Sequence, residues 1–453
     1  MTEREEVLVR EPLPPPNLSE ILTRARGEGE DRLIELLTIR RNDAERTYLP
    51  WDKLRYKKAP GGLSHEEWWL ITRMWRDSVQ RPTSLHDADG QLFTYALPDV
   101  VLAAIDDINT NASGQITISE QVTNSETRDR YLVSSLIEEA ITSSQLEGAS
   151  TEHNVAKEML RTGRSPRDRS EMMIVNNYRA MQQIGDLRNE KLTLDLICEI
   201  HRIVTIGTLD NPDASGRFQL PGEERIGVYD QYNNLLHAPP PAAELDDRMQ
   251  ELCEFANGAT TVAYLPPVLR AITVHFMLGY IHPFEDGNGR TARTLFYWSM
   301  LNQGFWLTEF LTVSKILKKA PSKYARSYLL TEQDSNDLTY FHVYHLGVIQ
   351  RAIAELHAHL SEKMDEVRKL QRSITAMNSQ FNHRQLALLE NAVDNPMQQY
   401  TVVSHQRSHR SSYETSRKDL MRLEEAGLLI KSKSGRANTW TPSPDIRAKL
   451  KAV

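Results

Sequence analysis

The segment that most constrains this chain is His282-Pro-Phe-Glu-Asp-Gly-Asn-Gly-Arg-Thr-Ala-Arg293. An apolar run over 266–281 precedes it, and a pattern of helical period follows it over 291–301. The segment is therefore predicted to be a loop between a buried helix and the N-terminus of a second helix. Backbone N–H groups at 287–289 would be free there, and together with the helix dipole they would form an anion site.

The side chains of this segment suit a phosphate-bearing substrate. Asp286 could hold Mg²⁺, which uses one or two carboxylates together with phosphate oxygens. Arg290 and Arg293 offer planar guanidinium groups for phosphate oxygens, and His282 is the natural general base near neutral pH. The alternative is a Gly/Asn turn with a buried histidine and surface charges, and the density of chemical groups argues against it.

The segment resembles the signature of Fic proteins, His-Pro-Phe-x-(Asp/Glu)-Gly-Asn-Gly-Arg-x-x-Arg, and matches every fixed position. The resemblance implies transfer of AMP from ATP, with Mg²⁺, to a hydroxyl of a protein target or of the chain itself. His282 would deprotonate the Ser, Thr or Tyr hydroxyl, and Asp286 would carry the metal. The implied nucleotide-binding residues are Gly287, Asn288, Gly289, Arg290, Thr291, Ala292, Arg293 and Tyr324.

A second motif, Ser143-x-x-x-Glu147-Gly148, ends a predicted helix over 130–149. Residues four apart share a helix face, and Gly148 can terminate the helix. Taken alone, this is the tip of a surface helix. The motif resembles the inhibitory motif of self-inhibited Fic proteins, which implies that Glu147 pairs with Arg293 and replaces the contact to the γ-phosphate of ATP.

A β-hairpin is predicted between the two motifs, with strands at 224–229 and 235–240. Prolines keep the second strand at a sheet edge. In Fic proteins a hairpin at this place is the flap over the active site, and its open edge can align a target segment by strand addition. The implied docking residues are Ile226, Gly227, Val228 and Tyr229. Gln219 departs from the usual arginine at the base of the flap.

Two further histidines are interpreted as structural. His201 belongs to a predicted helix over 194–204 and is expected to be packed there. His275 lies near His282, but Pro283 breaks the helix and no nearby cluster of ligands completes a metal site.

The chain is predicted to be mainly α-helical and to contain four regions. These are an arm over 1–17, an N-terminal helical domain over 18–120, a Fic helical core with a β-hairpin flap over 121–370, and a winged helix over 380–445. The segment 18–108 reads as helical in pattern. Its four tryptophans, Trp51, Trp68, Trp69 and Trp75, are expected to pack in a core rather than to form a binding face.

The C-terminal region resembles a winged helix in its predicted order of elements. Helices at 384–392 and 411–426 flank an apolar link at 401–403, and a hairpin over 428–441 has Gly435 at its tip. Residues 401–453 contain 11 Lys/Arg and 5 Asp/Glu, a net charge of +6. Arg407, Arg410, Arg417 and Lys418 cluster around the second helix, as expected for a nucleic-acid face. Winged helices also bind proteins, so DNA contact, protein contact and a homodimer all stay open.

Composition and charge indicate the cellular compartment of the protein more than they indicate its activity. The net charge is −7 and 40% of residues are hydrophobic, which is typical of a soluble globular chain. Cys198 and Cys253 lie outside any C-x-x-C motif, which indicates a reducing compartment. No signal peptide or long apolar segment is found, so a cytoplasmic protein without a membrane partner is expected.

Two classes of function compete. The first is a protein adenylyltransferase autoinhibited by Glu147, and the same architecture could instead act as a de-AMPylase with Glu147 positioning water. The second is a nucleotide-sensing regulator that acts through its winged helix. An intact His282 favours catalysis, because sensing requires no base. The target protein cannot be read from the sequence, since strand addition uses backbone hydrogen bonds.

Overall fold

The computed structural model describes residues 11–39, 47–113, 125–230, 232–259, 263–376, 380–395, 398–409, 411–434 and 437–451. Predictions for residues 1–10 and 114–124, and for Arg410 and Gly435, lie outside this part of the chain. Two compact units are present, Met1–Leu356 and His357–Val453. The described structure is mainly α-helical, which confirms the predicted fold class. None of its helices is long and apolar enough to cross a membrane.

The first unit contains the predicted site. Its helices are α1 (Leu18–Glu28), α2 (Glu30–Thr38), α3 (Trp51–Leu54), α4 (His65–Val79), α5 (Asp99–Ile108), α6 (Ser125–Leu146), α7 (His153–Thr162), α8 (Arg169–Asp186), α9 (Leu194–Thr205), α10 (Leu245–Ala256), α11 (Pro267–Ile281), α12 (Asn288–Asn302), α13 (Val313–Lys318) and α14 (Pro321–Gln333). The boundary between the units falls within α15 (Thr339–Ala376). Short 3₁₀ turns lie at Leu187–Asn189, Pro212–Ala214, Ala242–Glu244 and Trp306–Phe310, and a π-helical turn at Asn109–Ser113.

The N-terminal part of the first unit is not helical throughout, contrary to the pattern over 18–108. It contains an antiparallel hairpin of β1 (Arg81–His86) and β2 (Leu92–Tyr95). The turn depends on Asp87, whose carboxylate accepts the N–H of Asp89 at 2.9 Å. This local side-chain bond stabilises the tight turn that joins β1 to β2.

The tryptophans of this region pack as core residues. Trp51, Trp68 and Trp69 form a buried cluster with Leu54. Ser64 begins α4 with a capping box, which sets the helix face that carries two of these rings. The prediction of core packing is therefore confirmed for these three residues.

Two helices place the predicted loop. The first, α11, is buried around almost its whole circumference, in keeping with its apolar sequence. Pro267 occupies its first turn, where a missing N–H costs nothing. The last residue of this helix is Ile281, because Pro283 cannot continue a helix and disfavours the helical conformation in His282 before it. The second helix, α12, begins directly after Gly287. The structure thus contains the predicted loop between a buried helix and a helix N-terminus.

The second unit has its own core and its own sheet. Its elements are α16 (His383–Asp394), α17 (Val402–His409), α18 (Tyr413–Glu425), β5 (Leu429–Ser434), β6 (Ala437–Pro442) and α19 (Ile446–Lys451). Leu389, Leu420 and Trp440 belong to its buried cluster. The antiparallel strands pair Leu429 with Pro442 and Ser434 with Ala437, so the predicted hairpin is present.

One prediction for the second unit was wrong. Residues 401–403 are not a simple apolar link, because α17 begins there. The N–H of Thr401 donates to Ser404 Oγ at 2.9 Å, and the N–H of Ser404 donates to Thr401 Oγ1 at 3.0 Å. This reciprocal capping stabilises the start of the helix. The short apolar run gave no sign of a helix in the sequence.

Candidate active site

The loop between α11 and α12 is held in shape by its own side chains. Asn288 accepts the N–H of Phe284 at 2.9 Å and donates to the carbonyl of the same residue at 2.8 Å. The buried Phe284 ring stacks on the His201 imidazole, with centroids 3.6 Å apart. The Asn288 side chain therefore shapes the loop, and its assigned contact with nucleotide stays a prediction.

His282 is arranged as a neutral base. Its backbone is left-handed, with φ +50°. A carbonyl can only accept, so the 3.2 Å contact places a proton on Nδ1, which donates to Gly279 and leaves Nε2 basic. Burial lowers the pKa of His282 to about 4, and the charges of His237 and Arg225 act in the same direction. The ring is therefore neutral at pH 7 and can accept a proton.

The N-terminus of α12 supplies backbone donors beside this base. Gly287 precedes the helix with φ +86°. Its N–H donates to the Asp286 carboxylate at 2.6 Å, so the prediction that this N–H is free was wrong. The first N–H groups of an α-helix have no partner within the helix. Those of Asn288 and Gly289 therefore stay directed out of its end, where an anion is favoured.

Gly287→Ala is expected to destabilise the first unit. An added Cβ would lie 2.6 Å from Thr205 Cγ2, and the left-handed backbone at φ +86° disfavours alanine. We expect a loss of about 1–3 kcal/mol in the free energy of unfolding, seen as a lower thermal midpoint. Gly185→Ala is the matched control, because Gly185 lies within α8 with open space at its Cβ position. Equal midpoints for the two variants would contradict this explanation.

Asp286 has the exposure expected of a carboxylate that binds Mg²⁺. Its side chain is 48% exposed, and the guanidinium groups of Arg290 and Arg169 lie 3.4 and 3.8 Å away. Magnesium is commonly held by one or two carboxylates, waters and substrate phosphates. Within the described ranges, no three His, Cys, Asp or Glu side chains form a closed metal site. Asp286 thus fits a metal ion that takes its other ligands from phosphate and water.

Other residues of the motif face the protein interior. Arg290 is fully buried and donates to the carbonyl of Val204 at 2.8 Å. Thr291 Oγ1 donates to the carbonyl of Gly287 at 2.9 Å, and Ala292 is buried. These contacts fix the start of α12 against α9. The nucleotide contacts assigned to Gly289, Arg290, Thr291 and Ala292 stay predictions.

The two sequence motifs meet at Arg293. Its Nη2 donates to Glu147 Oε1 at 2.8 Å, and its Nε donates to Ser143 Oγ at 2.8 Å. Gly148 follows the end of α6 with φ +90°. A side chain at Gly289 would collide with the Glu147 carboxylate, so this carboxylate covers the N-terminus of α12.

The Glu147–Arg293 pair is partly shielded from water. The Arg293 side chain is 3% exposed and that of Glu147 is 29% exposed. Burial disfavours the charged form of Glu147, but the Arg293 guanidinium outweighs it and lowers the pKa of Glu147. Glu147 is therefore ionised at neutral pH, and its carboxylate stands where the helix dipole favours an anion.

A buried carboxyl group that was not predicted anchors α6. Glu139 is 1% exposed, accepts the N–H of Ser314 at 3.0 Å and also bonds the Ser314 hydroxyl. Burial raises its pKa despite these bonds. The contact ties α6 to α13, and it thereby fixes the helix that carries Ser143 and Glu147. The sequence signal was the acid pair Glu138–Glu139, which lies between the apolar residues Ile137 and Ala140.

Tyr324 is half-buried, and its ring packs against His275 and Tyr328. Its hydroxyl bonds His275 Nε2 at 2.8 Å. His275 is fully buried among aromatic rings, and burial lowers its pKa well below the usual value. His275 is thus a packed histidine. The assigned contact between Tyr324 and the nucleotide stays a prediction.

The predicted hairpin is present but shorter than expected. Its strands are β3 (Val228–Tyr229) and β4 (Leu235–His237), an antiparallel pair. Ile226, Val228 and Tyr229 are 43%, 37% and 54% exposed, and an added Cβ at Gly227 would lie 2.7 Å from Leu235 Cδ1. In the described part of the chain, β3 pairs only with β4, which leaves one edge open to strand addition.

Comparison with known families identifies this region. Residues 191–300 match the model of the Fic/DOC family. This segment is a Fic domain. It contains the His282–Arg293 motif and the flap, whereas Ser143 and Glu147 lie N-terminal to the matched residues.

Curated proteins that are similar to this segment are named as protein adenylyltransferases. The chain is 35% identical over 118 residues to protein adenylyltransferase Fic of Nematostella vectensis, a match that covers 26% of this chain and 25% of the relative. It is 30% identical over 117 residues to protein adenylyltransferase fic-1 of Caenorhabditis elegans, over 26% of this chain and 21% of the relative. The chain thus spans about a quarter of the length of these curated relatives.

The fold is also similar to a solved structure. A Fic family protein from Desulfovibrio desulfuricans G20 superposes with a TM-score of 0.53 over 77% of this chain and 98% of that chain. The sequence identity is 17%, so the likeness shows a shared fold.

His201 does more in the Fic domain than pack in α9. Its Nε2–H donates to the carbonyl of Asp286 at 2.8 Å, and its Nδ1 accepts the N–H of Gly216 at 3.0 Å. Burial lowers the pKa of His201 to about 4, which keeps the ring neutral and able to make both bonds. The sequence showed a helix histidine but could not show that it bridges the loop and the base of the flap.

The flap of the Fic domain is expected to be less stable at alkaline pH. His237 donates from Nε2 to the carbonyl of Tyr280 and from Nδ1 to Glu332, each at 2.7 Å. Burial disfavours its charge, but the bond to Glu332 prevails and raises the pKa of His237 above 6.5. The stabilisation is complete below the unfolded pKa of about 6.5 and is lost as pH rises through the higher folded value.

Amide protection factors in the flap should therefore fall as the pH rises above about 6.5. His237→Asn is the matched variant, since it keeps a polar side chain without an ionisable group. We expect it to reduce this pH dependence, and an equal pH dependence in both proteins would argue against the ion pair.

Proposed function

We propose that this chain is a protein adenylyltransferase that transfers AMP from ATP, with Mg²⁺, to a Ser, Thr or Tyr hydroxyl of a protein target or of itself. One arrangement carries the proposal: the neutral base His282 shares a short loop with the exposed Asp286 and the donors at the start of α12. Phosphoryl-type transfer depends mainly on positioning and charge neutralisation. The names of the curated relatives support the same activity.

The proposed step exchanges one phosphorus–oxygen bond for another. The target hydroxyl oxygen forms a bond to the α-phosphorus while His282 Nε2 takes the hydroxyl proton. The bond from the α-phosphorus to the oxygen bridging the β-phosphate breaks, and pyrophosphate leaves with the electron pair. Mg²⁺ held at Asp286 would neutralise phosphate charge. The chain itself would orient the hydroxyl, seat the phosphates and accept one proton.

The open edge of β3 is the proposed docking surface for the target. Ile226, Gly227, Val228 and Tyr229 would pair through their backbone with an extended segment, in the manner of strand addition. The target is therefore identified as an extended peptide with a hydroxyl side chain. The exposure of β3 supports this assignment.

We also propose that Glu147 restrains the enzyme. In this view its carboxylate occupies Arg293 and the end of α12, so that the γ-phosphate of ATP loses these contacts. The 2.8 Å pair and the position of Glu147 over Gly289 support the proposal. An ionised acid in an anion site competes directly with phosphate for the same donors.

The position of a radioactive label in ATP tests the reaction. We would incubate the Glu147→Gly variant with Mg²⁺ and ATP labelled at either the α- or the γ-phosphate. Adenylyl transfer predicts labelling of protein from α-labelled ATP only. Labelling from γ-labelled ATP would indicate a kinase, and absence of both would contradict the proposal. Release of AMP from labelled protein in wild type would favour the de-AMPylase alternative.

A second candidate function, which we also propose, is DNA binding by the second unit as a winged helix. The order α17, α18 and the β5–β6 hairpin favours this assignment. Arg407, Arg417, Lys418, Lys431 and Lys433 are exposed along these elements. Basic side chains on a helix and an adjoining wing suit contact with backbone phosphates.

Arg417→Ala combined with Lys418→Ala is expected to weaken binding to duplex DNA. Each lost phosphate contact should reduce the slope of log K against log salt by about 1. Fluorescence anisotropy at several salt concentrations would measure both effects. Lys58→Ala, an exposed lysine of the first unit, is the control. The same affinity and slope in both proteins would exclude α18 as the DNA-binding helix.

A further inference from the structure

Arg225 joins the flap to the loop of His282. Its Nη2 donates to the carbonyls of Ile281 at 2.6 Å and His282 at 3.1 Å. Its Nε donates to the carbonyl of Pro240 at 2.7 Å, and its Nη1 donates to Gln219 Oε1. One side chain therefore binds the end of α11 and both ends of the flap segment.

The partners of Arg225 are unusual for an arginine, because each of these four is neutral. Two of them are carbonyls at the C-terminus of α11, which the helix itself leaves unsatisfied. The negative end of the helix dipole favours a cation at this position. The guanidinium is therefore bound by the backbone of the helix end and the flap, and its role is to hold that backbone in place.

The backbone that Arg225 holds is the one that aims the proposed base. His282 has φ +50°, a conformation that non-glycine residues adopt rarely and only when their surroundings impose it. Arg225 binds the His282 carbonyl directly. The N–H of Gln219 donates to the carbonyl of the next residue, Pro283, at 2.9 Å. The base of the flap thus fixes two consecutive carbonyls beside the imidazole.

We infer that Arg225 is a positioning residue, which couples the place of the flap to the orientation of His282 Nε2. The inference rests on the proposed function. Arg225 directly precedes the docking residues Ile226–Tyr229, so the strand that presents the hydroxyl and the loop that presents the base share one anchor. A target segment that pairs with β3 is thereby brought close to His282, whose backbone is held by Arg225 directly before the docking residues.

Steady-state kinetics test the coupling. In the Glu147→Gly background, Arg225→Ala should lower kcat about 100-fold, the effect of a displacement of about 1 Å at the reacting groups. The KM for ATP should change little, because Arg225 bonds none of the predicted phosphate-binding groups. Arg225→Lys should recover part of kcat, since an ammonium group can still donate to one of the carbonyls.

Arg217→Ala is the matched control. Arg217 also lies at the base of the flap, but its guanidinium bonds Glu223 and the carbonyls of Asp213 and Phe218. It bonds no residue of the 281–287 loop among the contacts of the described chain. We expect its kcat to stay within about threefold of the parent variant, because the partly exposed ion pair of Arg217 with Glu223 lies outside the loop of His282.

Hydrogen exchange measured by mass spectrometry tests whether Arg225 holds the flap and the His282 loop in place. This test does not require that the protein transfers AMP. Arg225→Ala should accelerate exchange both in the flap and in peptides covering 278–284, whereas Arg217→Ala should leave 278–284 unchanged. If the parent variant transfers no AMP, the proposed function fails and the exchange result still stands. Unchanged exchange at 278–284, or an unchanged kcat in an active background, would overturn the inference. Arg225→Lys serves both measurements if the alanine variant does not fold.

Discussion

His282→Asn should lower AMP transfer about 100- to 10,000-fold, the usual contribution of a general base. Asparagine is the informative replacement because it tolerates the left-handed backbone at φ +50°, which alanine does not favour. A loss of activity in this variant therefore reports the missing base rather than a distorted loop. Initial rates with α-labelled ATP in the Glu147→Gly background would measure the effect.

Nucleotide affinity separates loss of the base from loss of the site. His282 would act on the target hydroxyl and not on the phosphates, so calorimetry should give an ATP affinity close to that of the parent. His65→Asn is the matched control, since His65 is exposed at the start of α4. Full transfer by His282→Asn would show that another group takes the proton.

Glu147→Gly should raise AMP transfer about 10- to 100-fold over wild type. Hydrogen bonds to charged groups contribute about 1.5–3 kcal/mol, and each 1.4 kcal/mol is a factor of ten. Removing the carboxylate releases one donor of Arg293, whose bonds to Ser143 remain, and uncovers the end of α12 for phosphate. The gain should appear in initial rates with α-labelled ATP at saturating nucleotide.

Two further variants test whether the gain in AMP transfer comes from the charge and the position of the Glu147 carboxylate. Glu147→Gln retains an acceptor without charge and should give an intermediate rate, because the charge-assisted part of the bond is lost. Glu152→Gly removes a nearby exposed carboxylate that has no bond to Arg293 and should leave the rate unchanged. If Glu147→Gly is no faster than wild type, Ser143–Gly148 is merely the end of a helix.

The fold could be predicted where the periodicity was long and its ends were marked. The apolar run before His282, with a proline at each end, is the clearest case, and the helix begins and ends there in the structure. Prediction failed at short elements whose signal is a side-chain bond. Asp87 makes the β1–β2 turn, and Thr401 with Ser404 begins α17. Neither bond leaves a hydrophobic pattern, so periodicity could not find it.

The candidate site divides in a similar way. The reactive groups of the His282–Arg293 segment could be predicted from the sequence. They lie within twelve consecutive residues, and a loop followed by a helical turn keeps such residues close in space. The residues that control those groups come from distant parts of the chain. Glu139, His201 and Arg225 carried no motif, and only their contacts show what they do.

The sequence by itself determined which chemical groups this protein carries and that the imidazole, the acid and the helix start share one loop. Only the tertiary structure decided their states. Burial and neighbouring charges lower the pKa of His282 to about 4, and the Gly279 carbonyl leaves its Nε2 basic. The packing of α6 against α12 and α13 brings Glu147 to Arg293. The reason is physical: residue identity fixes a group's intrinsic chemistry, whereas its charge and partners depend on desolvation and distance, which exist only in the folded chain.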